Sequence, residues 1–155
     1  MSNLLSNIKS KNKIRAKTKN GILFCDGGSR GNPGITGTGA VLYDSRKKEL
    51  GRAGGTCGIQ TNNFAEYMAL ISGLNLAQKN NITNLKIFLD SKLLVEQMKG
   101  KWKIKNWNLR PLFEKAQALS ENFAKISFFH IPREKNTVAD TIANQMMDSN
   151  KSGKI

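Results

Sequence analysis

The sequence predicts an α/β fold, a mixed sheet in which an antiparallel meander is extended by parallel strands. Three observations carry that expectation. Five short apolar segments read as strands and four segments carry helical spacing, in the order βββαβααβα. Short connections join the first three strands, as antiparallel neighbours require, and helices separate the later ones, as right-handed parallel crossovers require. Finally, 155 residues with 39% hydrophobic content suffice for one domain with a buried core.

The elements follow in order. Ile22-Leu23-Phe24-Cys25 reads as a short buried strand, closed by Asp26 and a glycine-rich loop through Gly34. Thr38 to Tyr43 is the second strand, Asp44 to Lys48 a charged turn, and Glu49 to Gly58 a glycine-rich third strand. Asn63 to Lys79 reads as a helix with Phe64, Met68 and Ile71 on one face. Leu85 to Leu89 is a strand, followed by a short helix through Leu94 and Met98. A helix from about Leu109 to Phe123, a strand from Ile126 to Ile131 and a helix from Thr137 to Met147 complete the chain. The domain is expected over residues 21–150, between a basic arm at 1–20 and a short tail at 151–155.

Charge narrows the function. Lys and Arg number 25 against 11 Asp and Glu, a formal net charge of +14, which argues for a polyanionic partner, nucleic acid first. Residues 1–20 carry six of those cations and no acid. Removing that +6 from +14 leaves +8 on the remainder, so the domain is basic in its own right. No apolar run reaches the roughly 18 residues of a spanning helix, so no membrane role is expected. Cys25 and Cys57 lack metal-type spacing and suit a reducing, cytoplasmic setting. The acid-poor basic leader leaves organelle targeting open. A monomer is the default expectation.

With so few acids, their placement is informative. Asp26 and Asp90 each end a strand, Glu66 lies one turn into the first long helix, and Asp140 lies near the start of the last. If the first and fourth strands are parallel neighbours, Asp26 and Asp90 meet at their carboxyl ends, where open α/β sheets place their sites. Adjacent carboxylates repel unless a cation lies between them, and magnesium suits such an all-oxygen set. Each acid also has a plain reading. Asp26 can open a turn, Asp90 or Ser91 can cap a helix, Asn63 and Glu66 have capping-box spacing, and Asp140 suits a helix N-terminus. Four such coincidences are jointly harder to accept than one shared site.

The motifs Asp26-Gly27-Gly28-Ser29-Arg30-Gly31-Asn32-Pro33-Gly34, Thr61-Asn62-Asn63-Phe64-Ala65-Glu66, Leu89-Asp90-Ser91 and Asn136-Thr137-Val138-Ala139-Asp140 make the chain resemble type 1 ribonuclease H from about Ile22 to Met147. The resemblance implies a five-stranded mixed sheet, three antiparallel strands plus two parallel, flanked by helices. It implies cleavage of the RNA strand of RNA–DNA hybrids, leaving 5′-phosphate and 3′-hydroxyl ends. It also implies that Asp26, Glu66, Asp90 and Asp140 hold two Mg²⁺ ions, with Mn²⁺ as a substitute. Asp26 would bridge both, Glu66 and Asp90 would serve the leaving side, and Asp140 the nucleophile side. Glu66 would also lie near a ribose 2′-hydroxyl.

Under that resemblance Gly27, Gly28 and Gly31 leave space around Asp26 for a nucleic-acid backbone. Asn32, Gln60, Thr61, Asn62 and Asn63 are the expected sugar and phosphate contacts. The sole histidine, His130, has strand-like neighbours and is not expected to act in catalysis. Arg133 is the better candidate for a cation near the scissile phosphate. The segment Lys99 to Trp107 replaces the larger basic insertion of some relatives. Within it Lys101, Lys103 and Trp107 are expected to touch the hybrid, while Trp102 and Trp107 have packing as their plain alternative. A silent binding module would gain nothing from four clustered acids. An integrase-like enzyme would leave the Asn32 and Thr61-Asn62-Asn63 motifs without a reason.

Overall fold

Alternating burial organises the first half of the sheet. In the computed structural model, which describes residues 17–152, Leu23 and Cys25 of β1 (Asn20–Arg30) face a buried core, while Ile22, Phe24 and Asp26 point to the opposite face. Strand β1 pairs antiparallel with β2 (Gly34–Asp44), and β2 pairs antiparallel with β3 (Glu49–Gly55) and with the two-residue β4 (Ile59–Gln60). On its other side β1 runs parallel to β5 (Asn84–Leu89), and β5 runs parallel to β6 (Lys125–His130). The main order is β3-β2-β1-β5-β6, the expected three antiparallel strands plus two parallel ones.

Helix α1 (Asn62–Lys79) lies against the Leu23 side of β1 and β2 and is itself covered by α3 (Arg110–Ser120). That position explains why it buries residues on nearly all sides, Ala65, Tyr67, Leu70 and Leu74 among them. Of the face expected from Phe64, Met68 and Ile71, Ile71 is buried, while Phe64 and Met68 are half-buried and pack against the core. Helix α2 (Lys92–Met98) starts directly after β5, and Tyr67 joins it to α1 through a buried hydrogen bond to Gln97 Oε1. Helix α4 (Thr137–Ser152) crosses the opposite face, over β2 and β1.

Several boundaries differ from expectation. Lys19 already belongs to the fold: its backbone N–H donates to Thr83 Oγ1 at 2.9 Å, and its carbonyl accepts from the Thr83 and Asn84 amides. Strand β1 then begins at Asn20, so the basic arm expected over 1–20 ends earlier, and residues 1–16 lie outside those described. The tail expected from 151 is partly helical, since α4 runs to Ser152.

The glycine-rich segment after Asp26 is strand, not loop, as far as Arg30. A Cβ on Gly27 would collide with the Ala65 carbonyl of α1, and one on Gly39 with the Ala139 carbonyl of α4. These glycines let two helices approach the sheet backbone closely. The third strand also breaks where expectation ran it on to Gly58. Buried Thr36 spans the gap, its Oγ1 donating to Gly58 O at 2.7 Å and accepting from the Cys57 amide at 3.0 Å.

Candidate active site

Parallel register brings two acids together. The β1–β5 pairing ends at Cys25 opposite Leu89, so Asp26 and Asp90 are the next residue on each chain. Asp90 does not cap the helix that follows. Ser91 does, its Oγ accepting from the Leu94 amide at 3.2 Å. Asp90 Oδ2 instead accepts from Asn136 Nδ2 at 3.1 Å, and the same nitrogen donates to Cys25 O at 2.8 Å.

Helix α1 supplies the third acid. Its N-cap is Thr61, whose hydroxyl accepts from the Phe64 amide at 3.2 Å, so the Asn63–Glu66 capping box does not form. Freed from that duty, Glu66 takes hydrogen bonds from Asn62 Nδ2 at 3.1 Å and from Ser91. The fourth acid, Asp140, lies in the first turn of α4 within hydrogen-bonding reach of Asp26, and Arg133 approaches it at 3.8 Å. All four line one cleft of about 280 Å³, together with Gly27, Gly28, Asn62, Arg133 and Asn144.

The electrostatics of that cleft are unfavourable for the acids alone. Burial, then the negative charges of Asp90, Asp140 and Glu66, push the Asp26 carboxyl up to about 8. Burial and Asp90 likewise raise Glu66 to about 7, against the pull of its hydrogen bonds from Ser91 and Asn62. An all-carboxylate donor set under mutual repulsion is what a hard divalent cation relieves, so the residues fit such an ion. Among the described residues no three such side chains, as they are placed, stand together closely enough to hold a metal ion. Glu66 is turned toward Asn62 and Ser91, and Asp140 toward Arg133, so the acids form an open cleft.

The other expected contacts divide. Gly27 and Gly28 border the cleft, although the missing side chain of Gly27 serves α1 as much as any ligand. Asn32 Oδ1 accepts from the Asn62 amide at 3.1 Å, tying the β1–β2 turn to the start of α1. Gln60 of β4 pairs with Gly34 of β2, and exposed Thr61 and Asn63 stand at the helix start beside Asn62. Lys101, Lys103 and Trp107 lie outside the cleft on the segment between α2 and α3, with Trp107 84% exposed. Trp102 has Lys92 Nζ at 5.9 Å from its ring centre. His130 closes β6, its Nε2 at 3.2 Å from the Asp90 carbonyl and its ring outside the acid cleft. Asn136 is the functional residue that motif reading passed over, although the last motif begins with it.

The sheet order, the helices on both faces and the four acids at the end of the parallel pair together define a ribonuclease H-like domain. Known proteins agree. A family described as reverse transcriptase-like matches residues 24–146. A bifunctional protein of Mycobacterium tuberculosis is 45% identical over 136 residues, 83% of this chain and 35% of that protein. The chain thus spans about a third of that relative's length. The N-terminal ribonuclease H domain of the same protein superposes with a TM-score of 0.81, covering 83% of this chain and 99% of that one. A ribonuclease H of Ruthia magnifica is 34% identical over 82% of this chain and 94% of its own length. The LC11 ribonuclease H1, solved in complex with an RNA/DNA hybrid, is 36% identical with a TM-score of 0.80, covering 84% of this chain and 99% of that one. The chain belongs to the type 1 ribonuclease H family.

Proposed function

We propose that this chain hydrolyses the RNA strand of RNA–DNA hybrids, acting as an endonuclease that leaves 5′-phosphate and 3′-hydroxyl ends. One observation carries the reading: in a chain of net charge +14, four of only 11 acids, from four separate segments of the chain, line a single cleft. Membership of the family and the hybrid bound by the LC11 relative support it. Asp26, Glu66, Asp90 and Asp140 would hold two Mg²⁺ ions, or Mn²⁺ in their place. Such ions, when bound, supply a strong nucleophile at neutral pH and neutralise charge on the phosphate and leaving oxygen.

The chain's own groups do the rest. Asn136 holds the Asp90 carboxylate to the β1 backbone next to Asp26, which helps to keep the spacing of the two acids. Arg133, 80% exposed and 3.8 Å from Asp140, can swing from that carboxylate to a phosphate oxygen. Asn62 and Ser91 hold Glu66 by hydrogen bonds at the wall of the cleft, where a ribose 2′-hydroxyl would distinguish RNA from DNA. Lys101, Lys103 and Trp107 offer a second, more distant contact along the hybrid. A monomer in a reducing cytoplasm is the setting this reading assumes, and free Cys25 and Cys57 suit it. No helix among the described residues is long and apolar enough to cross a membrane.

The test compares end-labelled RNA–DNA, RNA–RNA and DNA–DNA duplexes with Mg²⁺ and with chelator. Cleavage confined to RNA–DNA with Mg²⁺ is expected. Asp26→Asn should bind the hybrid and leave it uncut; a variant cutting at the native rate would remove the basis of the assignment.

A further inference from the structure

The face of the sheet that carries Asp26 is only partly covered by α4. Beyond the helix, parallel register sets Phe24, Phe88 and Phe129 in one row across three strands. Phe24 and Phe88 stack with centroids 5.1 Å apart and planes 19° apart, and Phe88 and Phe129 stack at 5.2 Å and 22°. Tyr43 closes one end edge-on at 5.9 Å. The ring spacing is close to the strand spacing, so the rings stand upright on the sheet and present their edges outward. Beside the row lies a hollow of about 350 Å³, lined mainly by apolar side chains of Ile22, Phe24, Val41 and Tyr43. Phe129, at the open edge of the row, is 40% exposed. The half-buried rings and the hollow beside them give the apolar side chains of a partner a place to pack.

Its rim is basic. Lys47 and Lys135 line the hollow, and exposed Lys86 lies on the same face, two residues before Phe88. Among the described residues no carboxylate lines the hollow, and nearby Glu49 is engaged by two hydrogen bonds from Arg52, at 2.7 and 2.9 Å. We propose that this surface docks an acidic, amphipathic helix of a partner protein, with its apolar stripe in the hollow and along the ring edges and its carboxylates against Lys47, Lys86 and Lys135. The hollow shares Asn136 with the backing of the acid cleft, but none of the four acids lines it, and the proposal does not depend on the catalytic reading.

The chemistry selects this occupant over others. Bases stack on ring faces, and the row offers one, the outer face of Phe129, so a nucleic-acid strand would gain little. A second copy of the chain would set one basic rim against another. Residues 1–16 of this chain carry four cations and no acid, the wrong sign for the rim. A helix offering apolar residues at i, i+3 and i+4 between glutamates matches both the ridge and its charges.

The probe is a fluorescein-labelled helical peptide of about five turns, with a Leu/Phe stripe flanked by Glu, titrated with the full chain by anisotropy. Phe129→Ser and the pair Lys47→Glu with Lys86→Glu should each weaken binding about tenfold, the scale of losing one interface anchor. The cleavage rate at saturating hybrid should stay unchanged in both. A peptide with Lys replacing Glu should not bind. Equal affinity for native and variant chains would overturn the proposal, as would equal binding of the lysine peptide. Phe129→p-benzoylphenylalanine adds a positional readout. Photocrosslinking to the acidic peptide supports the site, whereas crosslinking to residues 1–16 of the same chain or to oligo-dT overturns it.

Discussion

Asn136 is 1% exposed and yet touches three of the four segments that supply acids: Cys25 O beside Asp26, Asp90 Oδ2, and through its own carbonyl the Asp140 amide. Its Oδ1 is buried without a partner, a cost accepted for the two bonds that Nδ2 makes. Asn136→Ala should therefore lower unfolding stability by about 1–3 kcal/mol. It should also slow hybrid cleavage more than it weakens hybrid binding, because Asp90 loses its tether; chemical denaturation and a kcat-against-KM comparison check both. Asp26 supplies the pH prediction. Its carboxyl titrates near 8 and that of Glu66 near 7, above their ordinary values, so the folded chain holds protons that the unfolded chain has released. Stability should thus fall as pH rises from about 4 towards 8 and level off beyond. In chelator, Asp26→Asn should melt several degrees above native protein near pH 8, with the gap closing towards pH 4. Mg²⁺ should raise the native melting temperature near pH 8 and leave the variant's nearly unmoved. A gap that does not change with pH would separate Asp26 from the repulsion described here.

At the level of elements, the position of Asp140 depends on how closely α4 approaches β2. Gly39 makes room for the Ala139 carbonyl, so Gly39→Ala must push the helix outward or bend the strand. The expected loss is about 1–3 kcal/mol or more, with cleavage falling as Asp140 leaves Asp26. Gly55→Ala, where the nearest atom to the new Cβ is Thr38 Oγ1 at 3.6 Å, should be tolerated. Denaturation midpoints and cleavage rates for the two variants check this; equal effects would mean that close approach is not what glycine provides at position 39. The same glycines mark where sequence reading stopped. Strand order, helix order and the four acids were legible because periodicity and motif spacing are properties of neighbouring residues. The continuation of β1 through Gly27 to Arg30 was not, since glycine signals a turn locally and here answers to the backbone of a helix distant in sequence. Asn136 escaped for a related reason: its partners at 25 and 90 are brought to it only by the fold. Likewise the burial of α1 on nearly all sides is set by α3, which no pattern within α1 can announce.

Over the whole molecule the charges are unevenly arranged, a strongly cationic chain with four of its acids gathered in one cleft. A hybrid approaching it should be drawn in by the surface as a whole while the cleft, filled by cations, ceases to repel. Binding should then weaken steeply with salt, because each phosphate neutralised by Lys or Arg releases counterions. Residues 1–16 contribute Lys9, Lys11, Lys13 and Arg15 to that field, whatever path they take. Changing all four to Gln reduces the net charge from +14 to +10 without touching any residue of the cleft. If these cations reach phosphates, the slope of log affinity against log salt should become shallower by up to about 3–4, since each contact contributes somewhat less than one unit. Native and variant affinities should converge as salt rises, and the cleavage rate at saturating hybrid should not change. Filter binding or anisotropy over a salt series gives the slopes, and single-turnover kinetics gives the rate. Parallel slopes would confine hybrid recognition to the folded domain, leaving Lys101, Lys103 and Arg133 among its principal cations. A changed saturating rate would instead connect the N-terminal cations to the chemistry itself.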